Sequence, residues 1–163
     1  MKTLKSVIRT AVVLIAAIVT FAAASGTSGA TPATTHLDVS GKRFYNACSG
    51  EYVTIVSGTL HILADSRTDG SGGVHVTIRG NAQDVIASGE TTGITYHFAG
   101  DWWGEGNGRA DGSAFVVQLV EVHNMISEGP TANVIVHIVD HVTVDANGRT
   151  TIALDSFSSE CRG

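Results

Sequence analysis

NVIVHIVDHVTVDANGRTTIALDSFSSEC, residues Asn133 to Cys161, decides the fold class. Val134, Val136, Ile138, Val142 and Val144 recur at every second position, while Ile135, His137, Val139, His141 and Thr143 fill the positions between them. A period of two puts the two sets on opposite faces of a strand. Asn147-Gly148 supplies residues that tolerate the positive φ of a hairpin turn, so a second strand is predicted from there to Cys161.

The same signature recurs upstream. Val74, Val76 and Ile78 alternate with His75, Thr77 and Arg79, and Ile94, Tyr96 and Phe98 alternate with Thr95, His97 and Ala99. Strands are also predicted near Arg43–Ala47, over Val53–Asp65, around Val85–Ser88 and over Phe115–His123. Gly58, inside the second of these, signals a bulge or a bend. Turns are expected at Thr68–Gly73, Gly80-Asn81 and Glu128–Pro130, and Gly100–Ser113 (GDWWGEGNGRADGS) reads as the longest irregular stretch. No segment carries a helical period. The expected fold is all-β: an antiparallel up-and-down β-barrel of about eight strands, with a β-sandwich as the alternative.

The N-terminus reads differently. Lys2, Lys5 and Arg9 precede an apolar run from Ala11 to Ala24 broken only by Thr20, and Ala22-x-Ala24 suits a signal peptidase. Residues 1–24 are therefore predicted to be a secretory signal peptide; the run is short of the roughly 20 apolar residues of a membrane helix. Residues 25–36, small and polar, read as a disordered leader, and residues 37–163 as a single β-domain. Cleavage would leave 139 residues with seven basic groups against fifteen acidic ones, a formal charge of −8. Such a surface repels phosphate backbones and anionic lipids, so neither nucleic acid nor, after cleavage, a membrane is an expected partner. The expected location is outside the cytoplasm, extracellular or periplasmic. There, Cys48 and Cys161 are predicted to form a disulfide that closes the domain. The loop-entropy argument assigns about 4–5 kcal/mol to closing a loop of ~100 residues.

Seven histidines invite a metal reading. His137 and His141 on one strand stand ~13 Å apart, since each residue rises ~3.3 Å, so one metal with bonds of ~2.0 Å cannot use both. Cross-strand pairs remain workable, and His61 and His75 flank a single turn. No metal or other cofactor is expected. His75, His97 and His141 lie opposite the aliphatic stripe, either on a solvated outer face or lining a polar interior. Asp140 shares the face of Val136, Ile138, Val142 and Val144, where an unpaired carboxylate is expensive. Either a bulge at Asp140-His141 turns it outward, or it faces inward with a raised pKa or a partner such as Arg79 or His61. Asp140, Arg79 and His61 are thus the candidate catalytic residues, and Asp140, His75, His97, Trp102 and Trp103 the candidate ligand contacts. The two tryptophans either stack on a ligand or plug an open end of the fold. The chain has no G-x-S-x-G, H-E-x-x-H, phosphate-binding glycine loop or complete EF-hand.

Taken together, C-S-G-E-x-V (48–53), G-T-L-H (58–61), G-G-V-H-V (72–76), T-T-G-I-T-Y (91–96), D-A-N-G (145–148) and F-S-S-E-C (157–161) resemble a family of small, uncharacterised exported bacterial proteins. The resemblance covers most of the domain and implies bacterial secretion and one compact unit, with no activity, cofactor or catalytic residue. By outline alone, the predicted barrel is similar to lipocalin-like and allene-oxide-cyclase-like barrels. The expected function is non-catalytic binding of a small apolar or amphipathic ligand. The alternatives are a structural or surface-interaction β-sandwich and a barrel cyclase or isomerase using acid–base residues.

Overall fold

Period-two alternation builds eight strands in the computed structural model, which describes residues 32–109, 114–145, 147 and 149–163. They are β1 (Ala33–Asp38), β2 (Arg43–Asn46), β3 (Glu51–Thr68), β4 (Gly73–Gly89), β5 (Thr95–Arg109), β6 (Ala114–Ser127), β7 (Asn133–Asp145) and β8 (Thr150–Arg162). All lie in one antiparallel sheet ordered β1-β3-β4-β5-β6-β7-β8, with β2 also on β3. The described residues contain no helix. The predicted signal peptide lies outside them, as does the predicted leader as far as Thr31. Strand pairing begins at Ala33, inside that expected leader, because Ala33–His36 completes a ladder with Ile62–Ala64 and His61 of β3.

Two breaks expected from glycine are not breaks. β4 runs straight through Gly80-Asn81, and its irregularity falls instead at Asp84, whose φ is 49°. Opposite it, Gly58 of β3 sits at φ 120° inside the second of two consecutive register shifts, the one between Ser57 and Thr59. A Cβ there would stand 2.4 Å from the Val85 Cα, so this crossing needs glycine twice over. The paired bulges also switch which residues face inward. Val53 and Ile55 are buried before Gly58, and Ile62 and Ala64 after it. Likewise Gly100–Arg109, expected to be irregular, is the second half of β5. Its glycines alternate on the buried face, where large side chains lie flat against the backbone: Leu119 over Gly104 and Phe115 over Gly106. Ala110–Ser113 lie outside the described residues.

β1 and β2 meet the same edge of β3 in one continuous register, with Val39–Lys42 bonded across the gap, so they act as a single interrupted edge strand. The sheet therefore makes seven antiparallel passes. An odd number means that the first and last passes run in the same direction, and the ends of β2 and β8 reach the same pole. Cys48, just past β2, and Cys161, in β8, are joined there by a disulfide with Cα atoms 5.6 Å apart. Among the described residues no ladder joins β8 to β1 or β2. The two edges of the sheet are thus tied covalently at one pole and, among the described residues, are not hydrogen-bonded into a ladder; the unladdered side of β8 is called the seam below.

The buried face carries two apolar clusters. One holds Ile62, Val76, Ile78, Trp102, Leu119 and Val142; the other, toward the disulfide pole, holds Val53, Ile55, Val85, Tyr96, Met125 and Val134.

Candidate binding site beside the seam

Residues directly opposite in an antiparallel ladder point to the same face. Three rows on the buried face follow from the register. Gly100, His123, Val136 and Ser159 form one across β5 to β8; Trp102, Glu121, Ile138 and Phe157 form the next; Gly104, Leu119, Asp140 and Leu154 form the third. Polar groups thus sit between the two apolar clusters, and the rows end at β8, on the seam.

Space for the rings comes from glycine. A Cβ at Gly80 would fall 2.2 Å from the Trp102 indole, and one at Gly100 would fall 2.6 Å from His123 Nδ1. The indole and the imidazole therefore lie directly over bare backbone, with their centroids 6.2 Å apart and tilted by 40°. His123 Nε2 is 2.8 Å from Glu121 Oε2, and solvent still reaches these two side chains, at 24% and 16% exposure.

Asp140 is 1% exposed. Both of its carboxylate oxygens are buried without a hydrogen-bond partner. Burial, then the negative charges of Glu121 and Asp155, pushes its pKa up to about 6. A bulge does occur here, between Val139 and Asp140 of the β7–β8 ladder. Its extra residue is Asp155 of β8, whose carboxylate meets His141 Nδ1, so β7 keeps its alternation and Asp140 stays inward. The outward-turned alternative is not what the chain adopts.

A second buried carboxylate shows what a structural acid looks like in this fold. Glu51 accepts the N–H groups of Thr91 and Thr92 at 2.9 and 3.0 Å, the Thr92 hydroxyl at 2.7 Å and the Tyr96 hydroxyl at 3.5 Å. Burial pushes its pKa up, but these hydrogen bonds outweigh burial and hold it below the ordinary value. Glu51 is built into a turn; Asp140 is built into nothing.

The β8 end of the rows is unusual in the opposite sense. Leu154 and Phe157 stand opposite buried Asp140 and Ile138, yet are 46% and 44% exposed. Apolar side chains of core-facing register thus line the seam uncovered.

The other predicted residues go elsewhere. Arg79 lies exposed on the outer face between Leu63 and Trp103, and His61 stacks on His36 at 4.8 Å and contacts Asn81 Oδ1 at 3.3 Å. Neither can partner Asp140. The His61–His75 approach does not form: His61 pairs with His36 and Asn81, and His75 with Arg67 and Asn107. His75 contacts Asn107 Oδ1 at 2.8 Å and Asp69 Oδ2 at 3.1 Å; His97 contacts Glu128 Oε1 at 2.6 Å, on the outside. Trp103 is an exposed outer-face neighbour of Arg79, whereas Trp102 is buried, so the two tryptophans serve different faces of one strand. Of the five candidate ligand contacts, Trp102 and Asp140 come together on one face. Among the described residues, no three His, Cys, Asp or Glu side chains gather as metal ligands.

Sequence reasoning missed Glu121, His123, Leu154 and Phe157. Both faces of β6 are apolar at most positions, since Val116, Val120 and Val122 mirror Phe115, Val117 and Leu119. The side bearing Glu121 and His123 therefore could not be read as inward until β5 and β7 fixed it. No protein-family model, curated protein or solved structure matches the chain.

Proposed function

We propose that the sheet wraps into an incomplete β-barrel that binds one small amphipathic molecule at its seam, without catalysis. The observation that carries this reading is the pair Leu154 and Phe157, uncovered on the core-facing side of β8 opposite Asp140 and Ile138. An apolar surface next to a few convergent polar groups is the usual make-up of a small-molecule site. Export fits the disulfide, which persists in oxidising compartments. The acid–base alternative keeps Asp140 but loses Arg79 and His61, which lie on the opposite face.

The test uses Trp103→Phe, which leaves Trp102 as the only indole. Titration with the neutral apolar fluorophore N-phenyl-1-naphthylamine is expected to quench Trp102 emission saturably, at one probe per chain. Phe157→Ser is expected to weaken binding about tenfold, through the loss of most of an aromatic contact area. Linear, unsaturable uptake, or equal affinity in Phe157→Ser, would overturn the reading.

A further inference from the structure

Building on that amphipathic-ligand reading, we infer that the ligand carries a basic nitrogen, an ammonium or amidinium, seated against Asp140 with Glu121 beside it. A buried carboxylate needs hydrogen-bond donors or a cation. Glu51 has its donors within the chain, and Asp140 has none.

The charges acting on Asp140 have one sign. Glu121 reaches it diagonally from β6 and Asp155 from β8, both negative. The imidazoles near this array are already engaged, His123 with Glu121 on the inner face and His141 with Asp155 on the outer. An anionic head group would meet two inward carboxylates, and a neutral hydroxyl would satisfy one acceptor at most. A protonated amine supplies up to three donors and one positive charge. Trp102 adds an indole in the same row as Glu121, and a cation near an indole face gains further attraction. On the other side, Leu154 and Phe157 offer the apolar surface that a hydrocarbon tail would cover. Head and tail of one small amphipathic amine thus each have a place, within four adjacent strands.

The test compares three probes that differ only in the head group: octylamine, octanol and octanoate, near neutral pH, each displacing N-phenyl-1-naphthylamine from the Trp103→Phe protein. Octylamine is charged under these conditions, its amine being about as basic as that of lysine, near 10.4. Octylamine is expected to bind about tenfold more tightly than octanol, with octanoate weakest, a difference in keeping with one partly buried charge-assisted contact. Asp140→Asn is expected to bring octylamine down to the affinity of octanol while leaving octanol itself unchanged. Glu121→Gln, which leaves Asp140 in place, is expected to reduce the preference by a smaller factor and serves if Asp140→Asn does not fold. Equal binding of amine and alcohol to the parent protein, or an amine preference that survives both substitutions, overturns the cationic inference while the amphipathic site stands. If none of the three displaces the fluorophore, the amphipathic reading itself is wrong.

Discussion

Asp140 is where the chain departs most from what folding alone would select. Its ordinary carboxyl pKa in the unfolded chain is 3.8, and the native environment raises it to about 6. A raised acid pKa means that the native state holds the proton more tightly than the unfolded state. The penalty is therefore absent below about pH 4 and full above about pH 6, and stability falls as pH rises between them. Across about two pKa units the full effect is about 3 kcal/mol. Asp140→Val, which keeps the β-branched alternation of β7, is expected to remove this slope and to stabilise the protein near pH 7 by about 1–4 kcal/mol, as replacements of buried charge by apolar groups can. Urea unfolding of both proteins at about pH 4.5 and pH 7 gives the comparison, and other titrating groups cancel in the difference. Equal stability of the two proteins at pH 7 would mean that Asp140 has an unseen partner. Alternation put this residue on the aliphatic face but left open whether a bulge turned it outward; that the extra residue falls on β8, and that the carboxylate has no partner, was not legible. Arg79 and His61 are close in sequence pattern but sit at the wrong parity, and parity on β3 and β4 is reset at Gly58 and Asp84.

At the scale of elements, strands were easy to read and their continuity was not. Alternation shows where a strand exists, but glycine reads as punctuation from sequence, whereas in β4 and β5 it makes room for rings lying over the backbone. Among the described residues, Gly58 alone combines positive φ with a backbone approach of 2.4 Å. Gly58→Ala is expected to destabilise the protein by about 1–3 kcal/mol or more, from strain at a left-handed φ plus the clash with Val85. Gly41→Ala has positive φ and open space around it, and is expected to cost less. Thermal unfolding of the pair checks the order; a larger loss at Gly41 would contradict it. β8 is held in place by less than the inner strands are. Its described side chains are all exposed, it has a ladder on one side only, and its far end is held by Cys161. In the double variant Cys48→Ser, Cys161→Ser, amides of β8 are expected to exchange with solvent much faster while those of β3 and β4 keep most of their protection, because an edge strand with little buried area opens first. Uniform loss of protection across the sheet would show that the clasp supports the whole fold and not its last strand.

For the whole molecule, an all-β antiparallel fold with a Cys48–Cys161 disulfide was readable in advance; the odd number of passes was not. That number is odd only because β1 and β2 count as one edge strand and β4 runs through Gly80-Asn81. The first and last passes run parallel, no ladder joins them among the described residues, and the disulfide ties the two edges at one pole. The molecule's response to pH follows from where its carboxylates sit around this frame. Glu51, Asp69, Glu90 and Glu128 have pKa values held below the ordinary range, Glu51 by hydrogen bonds that outweigh burial, Asp69 first by the Ser71 hydroxyl, Glu90 first by Arg43 and Glu128 first by His97. A depressed acid stabilises the native state above its unfolded pKa and loses that contribution as pH falls through the native value. These four groups therefore weaken the fold in acid, below about pH 4.5, and contribute nothing further above it. Asp140 works the other way, relieving the fold as pH drops from about 7 toward 4.5 by about 2 kcal/mol. The two trends cross, so the melting temperature is expected to peak near pH 5, close to where Glu51 is still ionised and Asp140 is already mostly protonated. In Asp140→Val the acid side should remain while the decline toward neutrality flattens. A melting temperature that climbs steadily from about pH 4 to pH 8 in the parent protein would rule out a buried, unpartnered Asp140, and with it the charge that the proposed ligand is meant to answer.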